Sequence, residues 1–383
     1  MSQLPVIDAD SHVEECEATW EHLEPRFRDR RPIHLNLAGT PGLPRNDSYW
    51  LIDGRIHARP GMPGSTQSGS PVSSTLAREK DFSAGSQTLD DVPERLRDMD
   101  KLGIDISVLF PTAVLTHLTP DLDFEAALMR SYNTWLAERC AQAPERLKWG
   151  ALIPFRHVPE AVAEIRRARE LGAQCVFTLG TAGDKLLHHS SHDPIYAALV
   201  EHDLPLCVHV GWSHPGLMES CNDVYESFML SFTMPVMMGF FSMTGGGVLD
   251  RFPDLRAAFL EAGGDWVPYV TDRMRRYYDV AIVNGRPVPK RHATDYLQDG
   301  NLYLTAEGDE RLLTTVIEVM GEDQVCVSAD VPHPEARENC MAEIAERADI
   351  SDGVKEKILS HNPARLFDID LAGYQQRLAR ATA

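Results

Sequence analysis

Four short segments of this chain place carboxylates and imidazoles directly after apolar, β-branched runs. Val6-Ile7 leads into Asp8-Ala9-Asp10-Ser11-His12. The run Leu206 to Val210 carries His209, with Gly211 and His214 following. Ala257 to Leu260 ends in Glu261-Ala262-Gly263-Gly264, and Val325 to Ser328 ends in Ala329-Asp330, then Pro332-His333-Pro334. On an extended chain Asp10 and His12, two apart, point to the same side. Imidazole and carboxylate donors together suit Zn, Mn or Fe, and the lack of thiolates disfavours a structural zinc site. The candidate metal ligands are therefore Asp10, His12, His209, Glu261 and Asp330. Asp330, Glu261, His214 and His333 are the candidates for moving protons.

Each of these residues also has a plainer reading. Asp8 or Asp10 could cap a helix. His209 could be a hydrogen-bonded core histidine, Glu261 an ordinary strand end, and Asp330 a turn residue. Glu15 reads as a cap for the next helix. His188, His189 and His192 sit in a loop far from a strand and read as surface or loop histidines.

Bringing such donors to one place requires elements that end together. Eight apolar runs recur: Val6-Ile7, Ile106 to Phe110, Trp149 to Ile153, Cys175 to Leu179, Leu206 to Val210, Ala257 to Leu260, Leu302 to Thr305 and Val325 to Ser328. Amphipathic segments separate most of them, at Val92 to Leu102, Phe124 to Ala141, Pro159 to Leu171, Ile195 to His202 and Arg311 to Val319. Strands buried on both faces and alternating with helices predict a parallel sheet. Eight of them predict a distorted (β/α)8 TIM barrel, whose reactive groups lie at the strand C-termini. No Gly-x-Gly-x-x-Gly follows the first strand, so a dinucleotide fold is unsupported. The expectation is one domain over residues 1–383, with an insertion at about 20–90 after strand one that acts as a lid or a surface loop.

The formal net charge of −20 argues against a nucleic-acid groove and an anionic membrane surface. The first residues lack the basic start and apolar core of a signal peptide, so a cytoplasmic location is expected. Seven cysteines without a Cys-x-x-Cys argue against a disulfide framework or a thiolate zinc site. Phe228 to Leu249 is uncharged and long enough to span a bilayer. Its Ser and Thr residues, Pro235 and the glycines at 245–247 favour a buried, Met-rich helix.

Val-Ile-Asp-Ala-Asp-Ser-His at the start resembles the strand-one motif of the amidohydrolase-related family. The branch it resembles includes aminocarboxymuconate-semialdehyde and dihydroxybenzoate decarboxylases. Blocks at Met99 to Asp105, Pro205 to Gly211, Gly247 to Arg256, Ser328 to Pro334 and Asn362 to Phe367 support it. The resemblance implies that His12, His209 and Asp330 are metal ligands and that Asp10 stands where members have His or Glu. It implies a metal that binds a water or substrate oxygen and polarises it. Glu261 departs from the pattern, since the branch usually has a catalytic histidine at that strand end. A metal-bound carboxylate is a poorer proton donor near neutral pH, so His214 or His333 is left to supply the acid.

Asp10, Glu261 and Asp330 with two or more histidines could also hold two ions, as dinuclear iron oxygenases do. The Met-rich run would then suit a bulky apolar substrate. The expectation is thus a divalent-metal enzyme, with one or two Zn, Mn or Fe ions, acting on a small molecule. Hydrolysis or non-oxidative decarboxylation of a small organic acid comes first. A nonheme dinuclear iron monooxygenase is the alternative, and a non-catalytic barrel is the third reading. A homodimer is expected, with no nucleic-acid or membrane partner.

Overall fold

The computed structural model describes residues 4–36, 48–56, 82–333, 339–374 and 376. Eight parallel strands form one sheet in simple sequential order. They are β1 (Ile7–Val13), β2 (Ile106–Pro111), β3 (Leu147–Leu152), β4 (Cys175–Leu179), β5 (Leu206–His209), β6 (Ala257–Leu260), β7 (Leu302–Ala306) and β8 (Val325–Val327). Every apolar run of the sequence overlaps one of them, with Val6, Ile153, Val210 and Ser328 falling just outside. The largest extension is β1, expected at two residues and observed at seven. All seven are buried although four are polar or charged. Apolar runs mark strands that bury carbon, and β1 instead buries ligating groups.

The sheet closes without a regular ladder between β1 and β8. Backbone bonds bridge the gap just beyond the end of β8: His12 N–H donates to the Val331 carbonyl (2.7 Å) and Asp330 N–H to the Asp10 carbonyl (3.0 Å). The Ser328 hydroxyl also donates to the Asp10 carbonyl, at 3.2 Å. Thus the barrel seam runs directly past three of the candidate site residues.

Helices cover the outside. The first, α1 (Val92–Leu102), begins where Asp91 accepts the Glu94 N–H and stops at Gly103, whose φ of +73° suits a residue without Cβ. Then come α2 (Leu122–Cys140), α3 (Val158–Glu170), α4 (Asp193–Glu201), α5 (Met234–Met243), α6 (Val267–Val283) and α7 (Leu313–Met320). The Met-rich run is a π-helical turn (Ser227–Phe232) leading into α5. The helical stretch Ser227–Arg251 is long and apolar enough to cross a membrane, but half of its most apolar window is buried in the protein. It packs closely: a Cβ on Gly180, just after β4, would sit 1.8 Å from the Pro235 carbonyl oxygen.

The described part of the insertion after β1 is structured. It holds 3₁₀ turns at Glu17–Trp20 and Pro25–Arg30 and an antiparallel sheet of Ile33–Asn36, Ser48–Ile52 and Arg55–Ile56. Trp20 and Trp50 pack edge to face inside it, ring centroids 5.7 Å apart, and both join the main core. This part is not a loose surface loop, because two tryptophans fix it to the barrel. The Gly61 to Gly69 centre of the expected lid lies outside the described residues.

Candidate metal centre

Sheet register places the first ligands. Along β1 the pairing with β2 runs Asp8 to Ser107 but Ser11 to Leu109, an extra residue on β1. Such a bulge re-aims side chains next to a site. Asp8, before the bulge, accepts the N–H of Asp10 (3.2 Å) and of Ala329 (3.0 Å) and the Ser11 hydroxyl. It is a fully buried brace across the seam, not a helix cap. Burial pushes its carboxyl up to about 7, opposed by those hydrogen bonds.

Asp10, within the bulge, and His12, beyond it, both turn into the barrel mouth. His12 Nδ1 lies 2.8 Å from the Pro111 carbonyl and His209 Nδ1 2.9 Å from the Val210 carbonyl. A carbonyl only accepts, so each Nδ1 carries the proton and each Nε2 offers a lone pair to the centre. There, His209 Nε2 is 3.0 Å from Glu261 Oε2 and 3.5 Å from Asp10 Oδ1. His12 Nε2 is 3.5 Å from Glu261 Oε2, 3.7 Å from Asp10 Oδ1 and 3.3 Å from Asp330 Oδ1.

Glu261 and Asp330 reach the cluster from residues with φ of +60° and +54°. Left-handed backbone on such residues costs about 1–2 kcal/mol each, and strain of this kind persists where surroundings enforce it. For Glu261 the enforcement is visible. Its N–H donates to Thr305 Oγ1 (3.1 Å), while Glu310 accepts the N–H of Gly264 and of Glu307, both at 2.8 Å. Glu15 plays the same part for the segment after β2, accepting the N–H of Thr112 (3.2 Å) and Ala113 (2.7 Å). It caps no helix, contrary to the expectation for it.

His333 completes the centre. Its ring stacks on His12 with centroids 3.9 Å apart, and its Nδ1 is 2.8 Å from Asp330 Oδ1. Its Nε2 is 3.0 Å from Thr112 Oγ1, and that hydroxyl donates to the Val13 carbonyl at 3.0 Å. The single hydroxyl proton is engaged with Val13, so Nε2 of His333 must be the donor to Thr112. At 2.8 Å an exchangeable proton must then lie between Nδ1 and Asp330 Oδ1, carried by one or the other.

The site is buried and asks for a cation. Asp10 Oδ1 and Oδ2, His12 Nε2, His209 Nε2 and Glu261 Oε2 are all buried with no hydrogen-bond partner, which is costly unless an ion fills the space. One ligand atom from each of Asp10, His12, His209 and Glu261 falls within 4.8 Å of the others, as does one from each of His12, Glu261, Asp330 and His333. The 3.0–3.7 Å separations begin within and extend slightly beyond the roughly 3.0–3.4 Å expected between neighbouring ligands about 2.1 Å from one ion. Burial pushes His12 down to about 4, aided by His333, and keeps it neutral. Burial acts the same way on His209, but Asp10 and Glu261 outweigh it and hold that imidazole well above its usual range. Burial would raise Glu261, yet His209 and His12 hold it well below the carboxylate range. The carboxylates that would retain a proton on His209 would equally retain a metal ion in its place.

The remaining candidates fall elsewhere. His214 is half-buried and accepts the Leu217 N–H at 3.3 Å as the cap of a short helix (Pro215–Ser220), outside both ligand groups. His192 Nδ1 contacts the Leu187 carbonyl (3.1 Å) and His189 caps its own turn. Neither joins a ligand group among the described residues. Thr112 and Glu310 were not singled out from the sequence. A threonine after an apolar run and a glutamate in a polar loop carry no signal of their own.

A family model described as Amidohydrolase matches residues 52–369. The chain belongs to the amidohydrolase family. The match begins beyond β1, so the place of Asp10 and His12 in the centre of this amidohydrolase rests on its structure. Curated relatives include the gamma-resorcylate decarboxylase of Rhodococcus jostii, 25% identical over 74% of this chain and 90% of that protein. The 2-amino-3-carboxymuconate-6-semialdehyde decarboxylase of Dictyostelium discoideum is 22% identical, over 72% of this chain and 76% of that one. Among solved structures, an amidohydrolase of Mycobacterium avium subsp. paratuberculosis aligns over 95% of this chain and 99% of its own, with TM-score 0.76 and 20% identity. The 5-carboxyvanillate decarboxylase of Novosphingobium aromaticivorans, solved with manganese and 4-hydroxy-3-methoxy-5-nitrobenzoic acid, aligns over 79% of this chain and 85% of its own. Its TM-score is 0.66 and its identity 25%. The amidohydrolase described here is accordingly a metal-dependent enzyme on a (β/α)8 barrel.

Proposed function

We propose that this enzyme removes the carboxyl group of a hydroxylated aromatic acid without oxidation, using one divalent ion and His333 as the proton donor. The observation that carries the reading is the His333–Asp330 contact of 2.8 Å beside the ligand cluster. It supplies an imidazole acid where Glu261 has displaced the one expected after β6. The decarboxylase relatives support the reaction class, and none of them favours the dinuclear iron oxygenase. Hydrolysis, the other reaction expected from the sequence, has no such support among these relatives.

In this reading Asp10, His12, His209 and Glu261 hold the ion, with Asp330 beside it. When bound, a divalent cation supplies Lewis-acid polarisation of a substrate oxygen. Glu261, held well below the carboxylate range by His209 and His12, and Asp10 face His12 and His209, whose Nδ1 atoms are fixed by the Pro111 and Val210 carbonyls. The ring carbon loses CO2 and gains a proton: the carbon–carbon bond breaks, its electron pair stays on the ring, and His333 Nδ1 delivers the proton to that carbon. Asp330, in contact with Nδ1, then returns a proton from solvent to His333. Thr112 fixes the ring through Nε2. Such a proton transfer contributes about 10²–10⁴ in rate. In the same reading residues 1–383 form one domain, because Trp20 and Trp50 of the insertion belong to the barrel's own core.

The test is CO2 release from a panel of hydroxybenzoates by the Mn-loaded enzyme under anaerobic conditions. Release that needs Mn and no O2, and that falls in the His333→Gln variant, supports the reading. Turnover that requires Fe and O2 overturns it.

A further inference from the structure

We infer that a small cavity at the exits of β2, β3 and β4 is the subsite for one uncharged hydroxyl on the edge of the substrate ring away from the metal. This rests on the proposed reaction for the nature of the ring, and adds which substituent the ring carries. The cavity has a volume of about 20 Å³, room for about one water-sized group. It lies among residues at the strand ends, the face of such a barrel where substrates bind. Phe177 and Leu179 border it from β4. Leu179 is the register partner of His209 on β5, and the Phe177 ring lies 5.3 Å from the His209 ring, centroid to centroid. The cavity thus begins about one strand spacing, roughly 4.8 Å, from the strand that carries this ligand. An aromatic ring with one end at the ion extends across that spacing, and its far substituent meets the cavity.

Hydrogen-bond accounting gives the chemical class. Arg156 borders the cavity. Its Nε and Nη2 donate to the two carboxylate oxygens of buried Glu125, at 3.1 and 2.6 Å, and Nη2 also to the Thr119 carbonyl at 2.7 Å. Nη1 has no acceptor among the described residues, so one edge of the guanidinium keeps free donors. The hydroxyls of Thr116, Thr178 and Thr181, also on the cavity wall, already donate to the Trp212 carbonyl, the Leu179 carbonyl and Ser213 Oγ. Each has only lone pairs left to offer. A group that both accepts and donates, a hydroxyl, complements this wall. A methoxy group cannot donate and exceeds the room. Charge narrows the choice further. Arg156 and Glu125 cancel each other, and burial, with Arg156 beside it, pushes His117 down to about 3 and keeps it neutral. A second carboxylate would lose its water here without gaining an unpaired counter-charge.

The experiment is calorimetric binding to the Mn-loaded full chain carrying His333→Gln, a variant expected to bind without turnover. The probes are a benzoate with one ortho hydroxyl, and the same acid with a further para hydroxyl or a para methoxy group. The para hydroxyl should tighten binding about tenfold or more, the size of a hydrogen bond to a charged donor, and the methoxy group should not. Adding Arg156→Lys, or Val114→Leu to fill the cavity from its apolar side, should bring that ratio to within about twofold and leave the ortho-hydroxyl acid bound as before. No preference for the para hydroxyl, as for a cavity that merely holds water, overturns the inference. So does a methoxy group bound equally well, a preference that survives in both folded variants, or no binding of any probe. If one variant fails to fold by circular dichroism, the other decides. CO2 release by the wild-type enzyme is measured on the same acids. The hydroxyl preference without any release overturns the decarboxylase reading and leaves the subsite standing, whereas release without the preference overturns the subsite alone.

Discussion

His333 stacks on His12 with ring centroids 3.9 Å apart, yet the two imidazoles serve different partners. His12 is tied at Nδ1 to the Pro111 carbonyl and offers Nε2 to the ligand cluster. His333 is tied at Nε2 to Thr112 and offers Nδ1 to Asp330. One ring is arranged to bind, the other to hand over a proton. His333→Gln should therefore lower kcat by about 10²–10⁴ while bound metal stays near the wild-type level. His12→Ala should lose both. Parallel kinetics and elemental analysis distinguish them.

Thr112 bears on the proton transfer through His333, whose Nε2 lies 3.0 Å from its hydroxyl. Thr112→Val keeps the volume and removes the acceptor for Nε2–H. The expected loss in kcat is about tenfold, the size of a hydrogen bond of about 1.4 kcal/mol. The pH–rate profile should shift and Thr112→Ser should restore it. An unchanged profile with a simple loss of stability would make Thr112 merely structural.

Glu310 holds the turn that carries Glu261. Burial raises its carboxyl from 4.5 to about 7, opposed by the Glu307 and Gly264 amides. The folded state thus retains a proton that the unfolded state has lost over this range. Stability should fall as pH rises from about 4.5 to about 7, by up to about 1.4 kcal/mol per pH unit from this group. Urea unfolding of wild type and Glu310→Gln across that range should show the slope in the former reduced in the latter.

Asp8 shows how a residue beside the ligands can serve the seam alone. Asp8→Ala should cost about 2–4 kcal/mol, because it strands the buried Ala329 N–H and Ser11 hydroxyl. In chemical denaturation the midpoint should drop. Metal bound per folded chain should stay close to wild type if the role is confined to bracing.

Much of this was legible in the residues. Apolar runs of β-branched type marked all eight strands, and the carboxylates and imidazoles at their ends converge as strand polarity demands. Three features were not legible. Asp8 and Glu15 read as caps, because the sequence does not reveal a bulge or an amide distant along the chain; contacts separated by 321 and 97 positions bind them instead. His214 and His333 read alike, each a histidine next to proline after a strand. Only three-dimensional placement sets one against a helix end and the other against His12 and Asp330. The insertion read as a lid or loop because of its length and the Gly-, Ser- and Pro-rich stretch from Gly61 to Gly69, although Trp20 and Trp50 give its described part a core.

The most direct test of a single-ion centre that uses Glu261 as a ligand is metal content per chain in protein purified without oxygen, for wild type and Glu261→Ala. The account expects about one Mn or Zn per wild-type chain, and affinity weakened by at least about 100-fold in the variant. Two Fe per wild-type chain, with one lost in Glu261→Ala, would contradict it and turn the search toward oxygen chemistry.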